Sequence, residues 1–216
     1  MKRSIGGAIL ASMAFAGAAH AQSAAPTPAA APDKGYAEVV AQSAFGNVTS
    51  QSFGGEFGVA VRPGVQIFVD AGRIRDAAPS ALGSSAQRIA IGIAAVAGSA
   101  DFHVRQPVTF VVAGVKYIVP VSNTRAQPYV LVGGGFANVN RDVTFSTAAG
   151  DVTQFAAIGS DLSGSAASAM LSLGGGVQVP VFERLVLDFQ YRYGRVFASG
   201  GGFNANRAGI GVGVRF

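Results

Sequence analysis

Cysteine and tryptophan are absent from this 216-residue sequence, and only 12% of its residues are charged. The absence of cysteine excludes disulfides and thiolate metal ligands. The charged fraction is about half that of a typical globular protein, whereas 50% of the residues are hydrophobic. Beyond residue 21, no apolar run reaches the length of a membrane-spanning helix, about 20 residues. The composition therefore excludes helical membrane spans while keeping the chain strongly apolar.

The first 21 residues have the pattern of a secretory signal peptide. Lys2 and Arg3 form a basic start, residues 5–18 are apolar, and residues 19–21 (Ala-His-Ala) offer a small-x-small cleavage pattern. The alternative is an N-terminal membrane anchor, for which the apolar run is short. We expect export through a cleaved signal peptide over residues 1–21.

Two further segments follow in the mature chain. Residues 22–34 are rich in alanine and proline and predict an extended periplasmic leader, and residues 35–216 form the folded domain. Loss of Lys2 and Arg3 leaves 14 basic against 11 acidic residues, a net charge of +3. Because the basic residues are scattered, no nucleic-acid partner is expected.

The folded domain contains eight strand-like segments, and the 30 glycines of the chain lack a collagen period and favour sheet turns. The segments are 36–47, 52–62, 64–75, 105–119, 127–140, 168–179, 184–197 and 203–216. The connections at 62–64, 120–126 and 180–183 are tight and contain proline, whereas those at 48–51, 76–104, 141–167 and 198–202 include two long loops. Short turns at one end and longer loops at the other predict an up-and-down barrel.

The last segment alternates strictly between two faces. Ile210, Val212, Val214 and Phe216 share one face, and glycines and arginines share the other. An apolar face that looks outward and a polar face that looks into the lumen are typical of a transmembrane barrel, whereas a soluble lipocalin-like barrel would reverse them. The predicted fold is all-β: an eight-stranded antiparallel up-and-down transmembrane β-barrel with short helical segments in long extracellular loops.

In the other strand segments too, the charged residues lie on the face that carries the polar side chains. Because a lumenal charge must be paired to be tolerated, we predict a salt-bridged lumen. Arg192 is expected to pair with Glu56 or Asp70, and Arg207 with Glu38 or Asp188. The predicted lumenal charge network comprises Glu38, Glu56, Asp70, Lys116, Asp188, Arg192, Arg207 and Arg215.

The orientation of one strand and the position of the aromatic residues remain to be considered. The segment 127–140 is apolar on both faces, so its orientation stays open. Aromatic residues fall near predicted strand ends, where amphipathic rings favour the membrane interfaces. The expected girdles comprise Tyr36, Tyr117, Tyr129, Phe182 and Phe216 at the periplasmic rim, and Phe45, Phe53, Tyr193 and Phe197 at the outer rim.

The long loops contain two helix candidates. Residues 84–98 begin with a plausible N-cap, and Ile89, Ile93 and Val96 lie at helical spacing; alternation of Ile89, Ile91 and Ile93 leaves a strand extension open. The stretch 151–162 predicts a further helical turn. The helix is expected to lie over the barrel mouth or against the outer leaflet.

Catalytic and metal-binding patterns are weak. The mature chain keeps one histidine, His103, with Asp101 and Arg105 on the same side of an extended segment, but no serine is fixed beside it. No histidine or calcium-loop cluster predicts a metal site. The sequence therefore predicts no catalytic residue, no cofactor and no enzyme activity.

The strand count, the loop alternation and the ending Val214-Arg215-Phe216 resemble the small OmpA/OmpX-like outer-membrane barrels over residues 36–216. The resemblance implies a bacterial outer-membrane location, Phe216 as an assembly signal, and the barrel-assembly machinery, periplasmic chaperones and membrane lipid as partners. It implies a monomer with a structural or surface-interaction role. The alternatives are a narrow passive channel or carrier for small solutes, and, third, a lipid-modifying enzyme.

Overall fold

A computed structural model describes residues 34–46, 48–122, 125–156, 162–199 and 201–216. The predicted signal peptide and all of the predicted leader except Lys34 lie outside these described residues. Within them, no helix is both long and apolar enough to cross a membrane.

The domain consists of ten strands, one α-helix and one 3-10 helical turn among the described residues. The eight long strands confirm the predicted count, with end shifts of a few residues. The elements are β1 Gly35–Phe45, β2 Ser50–Arg62, β3 Val65–Ile74, α1 Ser80–Ala97, β4 Asp101–Arg105, β5 Val108–Ile118, β6 Gln127–Thr147, β7 Gly150–Asp151, the 3-10 turn Thr153–Phe155, β8 Gly164–Pro180, β9 Leu185–Phe197 and β10 Phe203–Arg215.

The eight long strands form a closed antiparallel ring in the order β1, β2, β3, β5, β6, β8, β9, β10, and β10 pairs with β1. The Phe216 carbonyl accepts hydrogen bonds from the Lys34 amide at 2.7 Å and the Gly35 amide at 3.0 Å. These bonds extend the β1–β10 pairing, the seam where the ring closes. Closure leaves the ring without a free edge. We call the end that holds Gly35 and Phe216 the turn end, and the opposite end the loop end.

A tight connection at the turn end shows why glycine is needed there. Pro63 and Gly64 join β2 to β3, and Gly64 adopts a φ of 75°. This left-handed backbone costs glycine nothing, whereas a side chain would be strained. The Gly64 carbonyl accepts a hydrogen bond from the Ile118 amide at 2.7 Å, so the turn also meets the next strand.

Side chains alternate along every ring strand between the interior and the outer surface. The orientation of β6, which the sequence left open, is now defined: Tyr129 and Leu131 are buried, whereas Val130 and Val132 are exposed. An apolar belt covers the outer surface of the ring and includes Val39, Phe53, Phe57, Val59, Val61, Ile67, Val69, Val111, Val115, Val130, Val132, Phe136, Leu171, Leu173, Phe189, Ile210, Val212 and Val214.

Beyond the ring, β6 continues past the predicted end at residue 140 to Thr147 and forms a protruding unit with β4, β7 and α1. The prediction was too short because the outward face becomes polar at Asn138, although Val143 and Phe145 stay buried beneath α1. The fourth predicted segment is divided as well: β4 and β5 are separated at Pro107, whose backbone has no N–H for the ladder.

Helix α1 confirms the helical alternative for the loop, since Leu82, Ala86 and Ala90 form its buried stripe. It begins earlier than predicted, with Pro79 as the N-cap, and Ser84 lies inside the helix with its hydroxyl donating to the Ser80 carbonyl at 3.0 Å. The helix ends at Gly98, whose φ is 83°. In the second loop, the structure describes a helical turn at Thr153–Phe155, and residues 157–161 of the predicted stretch lie outside the described residues.

Candidate functional site in the barrel interior

The interior is divided into two zones along the barrel axis. Toward the loop end it is apolar, and toward the turn end it contains charged and amide side chains. The apolar zone is built from buried residues of seven ring strands and includes Ala44, Ile74, Val108, Phe110, Val112, Val139, Met170, Val196 and Phe203.

Strand alternation places all eight residues of the predicted network on inward positions. Glu38, Glu56 and Asp70 are direct cross-strand neighbours on β1, β2 and β3. Three adjacent carboxylates would repel one another, so their stability depends on cations that reach them across the interior. Those cations come from the strands that flank the three carboxylates: β5 pairs with β3, β10 pairs with β1, and β9 pairs with β10.

Glu56 is the centre of the charged zone. Its carboxylate lies 2.5 Å from the Lys116 Nζ, forms a second ion pair with the Arg192 guanidinium, and accepts a hydrogen bond from the Tyr36 hydroxyl at 2.5 Å. All four side chains are buried. A buried carboxylate with three donors satisfies the condition for tolerating charge in a low-dielectric interior.

Asp70 receives two arginines. Its Oδ2 lies 3.8 Å from the Arg192 Nη1 and 3.3 Å from the Arg207 Nη2. The expected pairing of Arg207 with Glu38 or Asp188 is therefore wrong. The register explains the difference: Glu38 is opposite Gly213 and Asp188 is opposite Gly211, so both lie nearer the turn end than Arg207.

Glu38 and Asp188 are bound by neutral donors instead. The Gln190 Nε2 donates to Glu38 at 3.3 Å, and the Tyr129 hydroxyl and Gln178 Nε2 donate to Asp188 at 2.9 and 3.4 Å. No described lysine or arginine lies within 4.0 Å of either carboxylate. The described ion pairs therefore concentrate on Glu56 and Asp70.

Aromatic rings complete the coordination of the cations. The Lys116 Nζ lies between Tyr36 and Tyr129, 4.3 and 4.4 Å from their ring centroids, and the Arg207 guanidinium lies 4.1 Å from that of Phe110. Cation–π attraction is strongest where the cation is desolvated, as here.

The placement of Tyr36 and Tyr129 corrects the girdle prediction, since both are buried inside. Tyr36 shares its parity with Glu38, a signal that the sequence did contain. Tyr129 had no such signal because its strand is apolar on both faces. Tyr117, Phe182, Phe216, Phe45, Phe53 and Phe197 are exposed, and Tyr193 is half-buried.

The last two positions of the chain lie at the turn end. Arg215 donates through its Nη2 to Gln127 at 2.7 Å and to Gln178 at 2.9 Å. The Phe216 ring is half-exposed on the outer surface and stacks on Phe57 with centroids 6.2 Å apart.

Inward glycines make room for these large side chains. A Cβ built on Gly176 would lie 2.7 Å from the Tyr129 Oη, and one on Gly213 would lie 2.7 Å from the Glu38 Cβ. In the apolar zone, a Cβ on Gly72 would lie 2.9 Å from the Phe110 Cζ. The space beside the glycines is therefore occupied by neighbouring side chains and is not an open gap.

His103 lies far from this network, on the protruding strand β4. Asp101, His103 and Arg105 occupy alternate, exposed positions, and His103 is opposite Thr144 of β6. No described serine forms a hydrogen bond with the imidazole, and the described residues contain no cluster of His, Cys, Asp and Glu suited to a metal ion.

No family model matches this chain, and no curated protein matches it. Neisserial surface protein A has 15% identity and a TM-score of 0.53, with 84% of this chain and 96% of that chain covered. A major outer membrane protein from Thermus thermophilus has 11% identity and a TM-score of 0.53, with 84% and 99% covered. The chain therefore has the eight-stranded barrel fold of the small outer-membrane proteins that the sequence resembles.

Proposed function

We propose that this chain is a monomeric, non-enzymatic integral protein of the bacterial outer membrane with a structural or surface-interaction role. The observation that carries the proposal is the reversal of polarity between the two faces of the ring. Apolar side chains are exposed outside, and charged ones are buried inside. A soluble barrel would have to solvate the belt, whereas lipid covers it without cost.

The belt has the height that a bilayer requires. On β2 it runs from Phe53 to Val61, and on β10 the strand keeps apolar outward residues from Ile210 to Val214 before Phe216. A tilted strand crosses the hydrocarbon core with about 9–11 residues. The closed ring leaves no unpaired strand edge in lipid, where each unsatisfied backbone group is costly.

The filled interior favours a structural role over conduction. A solute entering from the turn end meets the ion pairs of Glu56, and one entering from the loop end meets Phe110 and Phe203. An eight-stranded barrel is just wide enough for its side chains to fill. We therefore assign surface interaction to the protruding unit of α1, β4, β6 and β7, which has its own apolar cluster.

Biogenesis defines further partners in this proposal. An exported chain of this type reaches the membrane through periplasmic chaperones and the barrel-assembly machinery, with Phe216 as part of the signal that the machinery recognises. The half-exposed Phe216 ring at the β1–β10 seam is accessible to such a partner.

Three measurements on the mature protein test the proposal: gel mobility, insertion into liposomes and conductance in planar bilayers. The folded protein in detergent should migrate differently from the heated protein on a gel, and it should insert into liposomes in that folded form. In planar bilayers it should give no reproducible open steps. Recovery of folded protein from the aqueous periplasmic fraction would contradict the membrane placement, and regular conductance steps would favour the channel alternative.

A further inference from the structure

Two arginines occupy neighbouring outward positions at the loop end of β3: Arg73 lies within the strand, and Arg75 directly follows its last residue, Ile74. Arg73 precedes the buried Ile74, and Arg75 follows it, so both guanidinium groups point away from the interior. Both side chains are exposed. Alternate residues of a strand lie about 7 Å apart on one face, which is close enough for both side chains to contact one anion.

The pair lies where the apolar belt ends. Arg73 is opposite Phe53 of β2 and Thr109 of β5, and Phe53 is 55% exposed. Toward the turn end, the next outward residues of β3 are Ala71 and Val69. Arg73 therefore lies at the edge of the belt, and Arg75 lies one step beyond it.

No counter-ion is provided by the described part of the chain. Its four salt bridges all lie inside the barrel, and no described carboxylate is within 4.0 Å of Arg73 or Arg75. The adjacent Asp76 is engaged elsewhere: its Oδ1 accepts from the Ala78 amide at 3.0 Å and the Gln106 amide at 2.9 Å.

A neutral residue orients one of the two guanidinium groups. The Arg75 Nη1 donates to the Gln51 Oε1 at 3.1 Å, and the Arg75 backbone amide donates to the Gln51 carbonyl at 2.9 Å. The guanidinium keeps its remaining N–H groups and its full charge for an outside partner.

We infer that Arg73 and Arg75 bind the phosphate group of a lipid in the outer leaflet. The inference rests on the proposed outer-membrane placement. Phosphates of membrane lipids lie immediately outside the hydrocarbon layer, at the level where the belt ends. Two guanidinium forks match phosphate oxygens in geometry and charge. Lipid is favoured over a soluble phosphate because the same patch adjoins Phe53 and Val69, which contact acyl chains.

The lack of tryptophan allows a local reporter. Val111 is opposite Ala71 of β3 and is 51% exposed on the outer surface, so Val111→Trp places a single indole beside the patch. The protein is reconstituted in phosphatidylcholine bilayers that contain a small fraction of either phosphatidic acid or phosphatidylcholine, brominated near the headgroup end of the chain. Bromine quenches only an adjacent indole.

Phosphatidic acid, a phosphate monoester, should quench the reporter with a local preference of about threefold or more over phosphatidylcholine, because each arginine near a membrane surface strengthens anion binding severalfold. The preference should decrease with added salt, since both cations are exposed. Arg73→Gln with Arg75→Gln should remove it. The matched control is Arg88→Gln with Arg184→Gln, two exposed arginines of α1 and the β8–β9 turn, and should keep it.

Equal quenching by both lipids in folded, inserted wild-type protein would overturn the inference and leave the membrane placement intact. Failure of the reporter protein to insert would instead contradict the proposed function. Inorganic phosphate that replaces chloride at constant ionic strength should not change the preference; if it abolishes the preference, the patch binds soluble phosphate and the lipid assignment is wrong.

Discussion

Glu56 and Arg192 form an ion pair across the barrel interior, although β1 and β10 separate their strands in the ring. Their exposed fractions are 2% and 1%. The pair connects two strands that share no backbone hydrogen bond. It therefore ties these two parts of the barrel wall together as well as neutralising charge.

Glu56→Gln should be strongly destabilising. It removes the described carboxylate partner of Lys116 and one of the two that contact Arg192, and it leaves buried cations uncompensated. Breaking a buried pair from one side costs about 3–5 kcal/mol. Urea unfolding in detergent, followed by gel mobility, measures the loss. Glu183→Gln, an exposed turn residue, is the control and should change the unfolding free energy by less than about 0.5 kcal/mol.

Glu38→Gln should behave differently, although Glu38 is also a buried carboxylate. Its described partner is the Gln190 amide, and a glutamine oxygen can accept that hydrogen bond equally well. Removing a charge that has no described cation within 4.0 Å should cost less than about 1 kcal/mol or stabilise the barrel. The same unfolding measurement tests this prediction. A loss of unfolding free energy as large as that of Glu56→Gln would show that Glu38 is a full member of the ion-pair network.

A pair of glycine variants tests how tightly the interior is filled. Gly176→Ala should cost about 1–3 kcal/mol of unfolding free energy, because the new methyl group would meet the Phe189 backbone carbonyl as well as the Tyr129 hydroxyl. Gly134→Ala on the outer surface has 3.9 Å to its nearest neighbour, the Met170 carbonyl, and should be tolerated. Equal stability of the two variants would mean that both the β9 backbone at Phe189 and the Tyr129 ring can move aside.

The two interior zones should block conduction independently. Glu56→Gln combined with Arg192→Gln removes three of the four described ion pairs but leaves Phe110 and Phe203 in place. We expect this double variant, where it folds, to give no steps in planar bilayers. Adding Phe110→Ala and Phe203→Ala should permit water and small ions to pass. Conductance of the first variant alone would show that the apolar zone is not a barrier.

Phe216→Ala should affect assembly more than stability. The ring is 53% exposed and stacks only on Phe57 among described aromatic partners, so its loss should cost about 1 kcal/mol or less in the folded barrel. In cells, we expect the mature variant to accumulate in the periplasm while it still folds in detergent. Normal membrane levels in cells would argue against a role for Phe216 in recognition.

The strands of the barrel were predictable because the alternation that identifies a strand involves only residues that are close in sequence. Period-two alternation identifies eight segments, and the face of Glu56, Asp70, Asp188 and Arg192 follows from parity alone. The ends were less predictable. The outward face of β6 becomes polar at Asn138, which resembles a strand end, but pairing with β8 continues through Arg141 and Gly164.

The sequence by itself determined which side chains face inward, since alternation needs only neighbouring residues. The tertiary structure decided which charges meet, because a contact across the interior depends on strand order and stagger. Arg207 therefore reaches Asp70 and not Glu38, and Tyr36 and Tyr129 enclose Lys116. Local patterning sets a face, whereas closing the sheet into a ring sets the partners on that face.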